Sequence, residues 1–201
     1  YSLNAKQPMK EKDILCGPLE KTNEPYAIAK IAGIKMCESY NFQYGTNYRC
    51  LMPTNTFGPN DKYNSLNSHF IPSLIKKIYE IEKNNKSVIT LWGDGTPKRE
   101  IIYVDDLADA CVYFMKKRTK HFLINIGTGK DFAIKYYLEQ ISKVILGNKK
   151  LKIIYDKSKP DGVSRKVMDV SLAKKYGWKY SINLKTSIKM TYQSFLAELN
   201  V

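Results

Sequence analysis

The sequence lacks the features that would place it in a membrane or in an oxidising compartment. No apolar run approaches the roughly 18 residues that a bilayer-spanning helix needs, and no basic segment followed by an apolar one opens the chain, as in a secretory signal. The four cysteines are Cys16, Cys37, Cys50 and Cys111, and none belongs to a C-x-x-C pair. We therefore expect a cytoplasmic protein with reduced thiols and no membrane partner.

Histidine and arginine are also scarce. His69 and His121 are the only histidines and lie far apart in sequence, so no metal site is expected. The net charge of +14 comes almost entirely from lysine. Surfaces that read nucleic acids favour arginine for its bidentate hydrogen bonds, and these lysines are scattered rather than clustered with aromatic residues. We therefore expect a solvated, lysine-rich surface that attracts anionic small molecules, and no nucleic-acid partner.

Segments of helical and strand-like pattern alternate along the 201 residues, which predicts an α/β fold with crossover-linked parallel strands. The predicted helices cover residues 24–43, 67–84, 105–117, 133–146 and 183–199. The predicted strands cover residues 47–53, 87–93, 100–104, 122–127 and 151–156. Asn23 is the expected cap of the first helix, with Pro25 in its first turn. The length suffices for one sizeable core, or for one domain and part of another.

The stretch TNEPYAIAK, residues 22–30, contains a tyrosine and a lysine four positions apart. Chance gives about two Tyr-x-x-x-Lys pairs in a chain of this composition. The sequence has four, which are Tyr26/Lys30, Tyr79/Lys83, Tyr113/Lys117 and Tyr155/Lys159. An ordinary helix surface is the expected interpretation of the second and third pairs. Evidence for a functional role of the first pair must therefore come from the residues around it.

On a helix, Tyr26 and Lys30 lie one turn apart on the same face and can meet a common ligand. The ammonium is expected to make the hydroxyl a better proton donor and acceptor. Ala27 and Ala29 have small side chains, which leaves room beside the pair for a flat ring such as a nicotinamide.

Seven stretches, in order and across essentially the whole chain, resemble the extended short-chain dehydrogenase/reductase family, also called the NAD-dependent epimerase/dehydratase family. They are TNEPYAIAKIAGIKMCESYNFQYG (22–45), MPTNTFGPND (52–61), NSHFIP (67–72), WGDGTPKRE (92–100), VDDLADA (104–110), INIGTG (124–129) and SKPDGVSRKVMDV (158–170). A lone Tyr-x-x-x-Lys is a weak signal, whereas the ordered set is a strong one. The third and seventh stretches resemble the branch that converts GDP-4-keto-6-deoxy-D-mannose to GDP-L-fucose with NADP(H).

This resemblance implies a 3,5-epimerisation followed by a 4-reduction. The ketone at sugar carbon 4 acidifies the hydrogens on carbons 3 and 5, so each centre can be inverted by proton removal and return. In the family a cysteine and a histidine do this work, and the histidine corresponds to His69. Tyr26 then protonates the oxygen on carbon 4 during reduction, while Lys30 holds the cofactor ribose. The implied catalytic residues are Tyr26, Lys30 and His69.

The resemblance also implies binding positions. Those for the cofactor are Tyr26, Lys30, Pro53 and Asn55. Those for the substrate are Asn55, His69, Lys77, Trp92, Arg99 and Lys159, whose three Lys and Arg side chains would face the GDP diphosphate. Lys77 stands where the family often has arginine, so it keeps the charge without the bidentate fork. The sequences GDGT and GTGK lack Rossmann or Walker spacing, and we interpret both as turns.

The chain departs from the family on its N-terminal side, because nothing in it supplies the G-x-x-G-x-x-G loop of a dinucleotide-binding domain. The family's catalytic Ser/Thr and cysteine are expected just before Tyr1, and Cys16 lies in the wrong context to replace that cysteine. Residues 1–57 are expected to form the C-terminal part of the Rossmann-type parallel-sheet domain, with its N-terminal half missing. Residues 58–201 are expected to form mainly a smaller α/β nucleotide-sugar domain, with 100–130 returning to the Rossmann sheet.

Such a chain is expected to be inactive alone, and the family implies a homodimer through the catalytic helix, where Ile28, Ile31, Ile34 and Met36 are the apolar candidates. Two alternatives stay open. One is a related epimerase or reductase acting on another sugar, such as a GDP-6-deoxy-heptose. The other is a non-catalytic nucleotide-sugar-binding module, against which the joint presence of Tyr26, Lys30 and His69 argues.

Overall fold

The computed structural model describes residues 1–63, 68–158 and 163–199, in which helices and short strands alternate. The helices are α1 (Glu24–Tyr44), α2 (Phe70–Lys83), α3 (Val104–Lys116), α4 (Ile134–Leu146), α5 (Ser171–Lys175) and α6 (Leu184–Leu199). The strands are β1 (Cys50–Pro53), β2 (Asn55–Phe57), β3 (Val88–Trp92), β4 (Lys98–Tyr103), β5 (Leu123–Ile126), β6 (Asp131–Ala133), β7 (Lys152–Asp156) and β8 (Arg165–Lys166).

The strands pair mainly in parallel. β1 pairs with β5, and β3 pairs with β7, both in parallel. β4 runs parallel to β2 and β8 and antiparallel to β6. Each parallel pair joins strands with at least one helix between them in sequence, as parallel pairing requires. The prediction of an α/β fold with crossover-linked parallel strands is therefore confirmed.

The larger core lies between α2, α4, α6 and the inner faces of β3 and β4. The apolar face predicted for α2 is buried in full and consists of Ile71, Leu74, Ile75, Ile78 and Ile81. Burying one such side chain contributes about 1.5–3 kcal/mol relative to leaving it exposed. This face therefore fixes the orientation of α2 and, with it, the positions of His69 at its start and Lys77 on its half-buried side.

A second core lies between α3, β5 and the segment that contains α5. Phe114, Ile124 and Trp178 are buried there, and the Trp178 indole donates a hydrogen bond to Asp109 at 2.9 Å. Asp106, at the start of α3, accepts hydrogen bonds from the backbone N–H groups of Ser181 and Ile182. These contacts attach the segment after α5 to α3.

Several local expectations were wrong at the ends of elements. Asn23 precedes α1 as expected, but its side chain forms no capping hydrogen bond. The Glu20 carboxylate accepts the Thr22 N–H at 3.1 Å in the short 3₁₀ turn before α1. The first strand begins at Cys50 rather than at residue 47. The residues directly before this strand do not extend it, because the Asn41 side chain binds the backbone of Tyr48. It donates to the Tyr48 carbonyl and accepts from the Tyr48 N–H.

The apolar residues of α1 divide between two faces. Ile31 and Ile34 are buried in this chain, so they are not free to contact a partner as expected. Ile28 and Met36 are exposed.

Within the described ranges, no helix combines the length and apolar character needed to cross a membrane. In the same part of the chain, no group of three or more His, Cys, Asp or Glu side chains is arranged to hold a metal ion.

Candidate active site

The first turns of α1 present Tyr26 and Lys30 on one exposed face. The Lys30 ammonium lies 5.3 Å from the centre of the Tyr26 ring. Tyr26 is 61% exposed, and its hydroxyl has no hydrogen-bond partner among the described residues. Both polar groups are therefore available to one ligand lying on this face, as the four-residue spacing predicts.

Two other Tyr-x-x-x-Lys pairs share this local geometry, so the ring-to-ammonium distance alone does not distinguish the first pair. Lys83 lies 6.0 Å from the Tyr79 ring, and Lys117 lies 5.8 Å from the Tyr113 ring. Both of these tyrosines are half-buried and contribute to the fold. The Tyr79 ring packs edge-on against Phe195, and the Tyr113 hydroxyl donates to the Tyr176 carbonyl at 2.7 Å. Of these three tyrosines, only Tyr26 is an exposed residue that forms neither a hydrogen bond nor a ring–ring contact with another described residue.

His69 occupies the residue before α2, in an extended conformation with φ −61° and ψ 161°. Its carbonyl accepts the Ser73 N–H at 3.1 Å, which ties its backbone to the helix. The imidazole is exposed and does not cap the helix. No contact within the described residues joins His69 to Tyr26 or Lys30, so the structure does not bring these three side chains into direct contact.

The structure does bring Lys77 and Trp92 together. The Lys77 ammonium, on α2, lies 5.6 Å from the centre of the Trp92 ring, at the end of β3. An exposed indole beside a cation offers a flat stacking surface and a positive charge to the same ligand. Lys159 lies outside the described residues.

Arg99 is paired with a second cation that the sequence analysis overlooked. β4 and β8 place Arg99 opposite Lys166 in the strand register. Partial desolvation lowers the pKa of Lys166, and the positive charge of Arg99 lowers it further, while the nearby Glu20 carboxylate acts in the opposite direction. Burial likewise lowers the pKa of Arg99. Two cations held side by side in this way would be stabilised by an anion between them. The signal for Lys166 was its place in the stretch SKPDGVSRKVMDV.

Asn55 and its neighbours join the two cores. The Asn55 amide donates to the Glu100 carbonyl at 3.1 Å, and the Thr54 hydroxyl donates to the same carbonyl at 3.1 Å. The Thr54 N–H donates to the Ile126 carbonyl at 3.0 Å. Asn55 and the preceding Pro53 are both exposed. The amide nitrogen of Asn55 is thus held by β4, and its amide oxygen accepts no hydrogen bond from another described residue.

A buried carboxylate supports this region, and sequence reasoning missed it. Glu100 is fully buried and accepts hydrogen bonds from the N–H groups of Met168 at 2.7 Å and Gly129 at 2.6 Å. Burial raises the pKa of Glu100, while these hydrogen bonds act in the opposite direction. The side chain thereby fixes β4, including Arg99, to the turn after β5 and to the segment after β8. The sequence feature that could have indicated a buried carboxylate is the position of Glu100 directly before the apolar run IIYV.

Comparison with known proteins places these residues in a family. Residues 1–127, more than half of the chain, match the NAD dependent epimerase/dehydratase family. The chain is 46% identical to the GDP-L-fucose synthase of Escherichia coli (strain K12), over 98% of the chain and 63% of that protein. It is 42% identical to the GDP-L-colitose synthase of Yersinia pseudotuberculosis, over 100% of the chain and 65% of that protein.

A solved structure shares both the fold and part of the sequence. The GDP-mannoheptose C4 reductase of Campylobacter jejuni, with NADP bound, matches with a TM-score of 0.82 and 30% identity, over 98% of the chain and 67% of that protein. The chain spans less than two thirds of the length of the two curated relatives above. The family match, the ordered motifs and the parallel α/β fold agree, and the chain belongs to the NAD dependent epimerase/dehydratase family.

Proposed function

We propose that this chain carries the catalytic helix and the nucleotide-sugar-binding part of an NADPH-dependent epimerase and reductase that converts GDP-4-keto-6-deoxy-D-mannose to GDP-L-fucose. The exposed, unengaged Tyr26 hydroxyl beside Lys30 is the observation that carries the proposal. The 46% identity to the Escherichia coli GDP-L-fucose synthase supports this choice of substrate. In this proposal residues 1–57 and 100–130 belong to the cofactor domain, and the rest belongs mainly to the substrate domain.

For the reduction, Tyr26 gives its proton to the oxygen on sugar carbon 4 as negative charge develops there. Lys30 stabilises the phenolate that Tyr26 becomes and holds the ribose of the cofactor. Pro53, at the end of β1, and the amide oxygen of Asn55, at the start of β2, would contact the nicotinamide part of the cofactor. NADPH supplies the hydride when it is bound.

For the epimerisation, His69 is one of the two acid/base groups. Its imidazole is exposed and is not used to hold the fold, so it is free to take a proton from one face of the sugar and to return one.

Two positively charged sites bind different parts of the GDP group in this proposal. Arg99 and Lys166 face the diphosphate, whose charge relieves their mutual repulsion. Lys77 and the Trp92 ring offer a stacking surface and a charge to the rest of the nucleotide. Lys159 belongs to the diphosphate site in this proposal.

A homodimer and a cytoplasmic location are also part of the proposal. The exposed apolar side chains of α1, which include Met36 and Tyr44, support self-association. All four cysteines are free, which fits a reducing compartment.

A second candidate is a reductase of a GDP-linked 4-keto-heptose. The 30% identity and the TM-score of 0.82 to the Campylobacter jejuni GDP-mannoheptose C4 reductase favour it. Both candidates use the same proton donor for the reduction. They differ in the sugar that the site accepts and in whether a 3,5-epimerisation precedes the reduction.

The test compares the 201-residue chain with a chimera in which it replaces the matching part of the Escherichia coli relative. With GDP-4-keto-6-deoxy-D-mannose, the chimera is expected to oxidise NADPH and to form GDP-L-fucose, while the chain alone is expected to be inactive. Preference for a GDP-4-keto-heptose would select the second candidate. A folded chimera that binds GDP-sugars but reduces neither, or whose activity survives His69→Ala, would contradict the proposed mechanism.

A further inference from the structure

A cleft separate from the proposed active site runs beside the turn after β5. It consists of two cavities of about 200 Å³ and about 460 Å³. Thr128, Lys130 and Tyr180 line both cavities, so the two lie side by side. Tyr26, Lys30, His69 and Arg99 line neither. The turn is the GTGK sequence that lacks Rossmann and Walker spacing.

Aromatic rings form part of the wall of the smaller half of the cleft, and aliphatic and polar side chains form the rest. Phe132 and Tyr136 stack at its wall with their ring centres 4.5 Å apart. Tyr103 also lines this half, and its hydroxyl is buried without a hydrogen-bond partner among the described residues. An unpartnered buried hydroxyl is rare in folded proteins and calls for an explanation. A cavity of about 150 Å³ is known to hold one benzene ring, so this half is large enough for a planar heterocycle.

The larger half of the cleft is lined by three lysines, Lys130, Lys174 and Lys179, all of them exposed. Lys174 lies over the turn, since its ammonium is 3.9 Å from the position that a Cβ on Gly129 would take. None of the three forms an ion pair with another described residue. Lys174 lowers the pKa of Asp169, but the ion pair of Asp169 is with Lys10, at 4.0 Å.

One acidic side chain also lines the cleft, and it is already engaged. Asp106 accepts hydrogen bonds from the Ser181 N–H and hydroxyl at 2.8 and 3.0 Å, and from the Ile182 N–H at 3.2 Å. These donors partly compensate its negative charge. The three ammonium groups therefore leave the larger half of the cleft electropositive.

We propose that this cleft binds a nucleoside monophosphate, with its base among the aromatic rings and its phosphate at the three lysines. The Tyr103 hydroxyl donates a hydrogen bond to a ring nitrogen or oxygen of the base. Taken together, the two halves have the size of ordinary small-molecule sites, roughly 300–1,000 Å³. The site stands on these residues alone and does not depend on the reaction proposed for Tyr26 and Lys30.

The test is calorimetric titration of the 201-residue chain with adenosine 5′-monophosphate. Adenosine and inorganic phosphate, each of which fills one half, are expected to bind at least about tenfold more weakly. The double variant Lys130→Gln/Lys174→Gln is expected to weaken binding of the monophosphate by about tenfold or more, because each lysine contributes a charged hydrogen bond. Lys150→Gln changes an exposed lysine that does not line the cleft and should leave binding unchanged. Loss of binding in Arg99→Gln but not in the double variant would place the ligand elsewhere and overturn the proposal.

Tyr103→Phe provides a second test with opposite effects on two measurements. Removing an unpartnered hydroxyl is expected to leave the melting temperature unchanged or to raise it, so the variant should stay folded. The same change should weaken binding of the monophosphate by about fivefold, because one hydrogen bond to the base is lost. Unchanged binding in Tyr103→Phe would overturn the role of this hydroxyl, and no binding by the unmodified chain would overturn the site.

Discussion

Tyr26 and Tyr113 hold equivalent places in two Tyr-x-x-x-Lys pairs, yet their hydroxyl groups have different surroundings. The Tyr26 hydroxyl is exposed and unengaged, whereas the Tyr113 hydroxyl donates to the Tyr176 carbonyl at 2.7 Å. Local helix geometry is the same in both pairs, with ring-to-ammonium distances of 5.3 and 5.8 Å. The difference in function that we propose therefore arises from what surrounds each hydroxyl.

This difference predicts that two conservative variants have separate effects. One should lower turnover without lowering stability, and the other should lower stability without lowering turnover. Tyr26→Phe should lower the turnover of the active chimera by about 10²-fold or more, since it removes the proton donor. It should leave the free energy of unfolding unchanged, because no hydrogen bond is lost. Tyr113→Phe should cost about 1 kcal/mol of stability and leave turnover unchanged. Turnover and urea denaturation measure the two effects, and equal losses of turnover in both variants would refute the assignment of Tyr26.

The proximity of Tyr26 and Lys30 was predictable from sequence, whereas the two cationic groupings, Lys77 with Trp92 and Arg99 with Lys166, were only partly so. Tyr26 and Lys30 meet because helical periodicity alone brings positions four apart onto one face. Lys77 with Trp92, and Arg99 with Lys166, depend on the packing of separate elements, which no local pattern encodes. Resemblance to the family suggested Lys77, Trp92 and Arg99, and the register of β4 and β8 added Lys166 as the neighbour of Arg99.

At the scale of elements, long periodic segments were predicted well and short ones were missed. The α2 helix was predictable because its five apolar residues follow the helical period and are all buried. β2, β6, β8 and α5 contain only two to five residues each, too few to show a period. Their existence depends on partners distant in sequence, such as β4, which supplies the pairing of all three short strands.

The turn between β5 and β6 predicts a large difference between two glycine-to-alanine variants. A Cβ on Gly127 would lie 2.2 Å from a carboxylate oxygen of the buried Glu100. Gly127→Ala should therefore displace Glu100 from its backbone donors and cost about 3 kcal/mol of unfolding free energy. Gly33, inside α1, has nothing within 4 Å of its Cβ position. Gly33→Ala should stabilise the chain by about 0.5–1 kcal/mol.

Urea denaturation of both glycine variants measures these changes. If Gly127→Ala unfolds at the same urea concentration as the unmodified chain, Glu100 does not fix the turn as described. Gly33→Ala serves as the matched control, because it adds the same methyl group at a site with open space.

At the scale of the whole molecule, α1 is the helix with the smallest share of buried residues among the described helices. Ile31 and Ile34 are its only buried residues within the described part of the chain. On the opposite side, Met36, Tyr40 and Tyr44 follow the four-residue helical spacing and are exposed by 60%, 45% and 62%. A helix with apolar residues on both sides is normally covered on both sides. We infer that a second copy of the chain covers this face, in line with the proposed homodimer.

This face predicts a change of oligomeric state in the variant Met36→Glu/Tyr44→Glu. Each large side chain buried in an interface contributes about 1.5–3 kcal/mol, and every 1.4 kcal/mol corresponds to about a tenfold change in a dissociation constant. The double variant should therefore weaken self-association by at least about a hundredfold, as measured by analytical ultracentrifugation. Met115→Glu on α3 is the matched control, because Met115 is 78% exposed and lies on another helix. An unmodified chain that sediments as a monomer at all concentrations, or a control that dissociates as much as the double variant, would show that this face does not form the dimer.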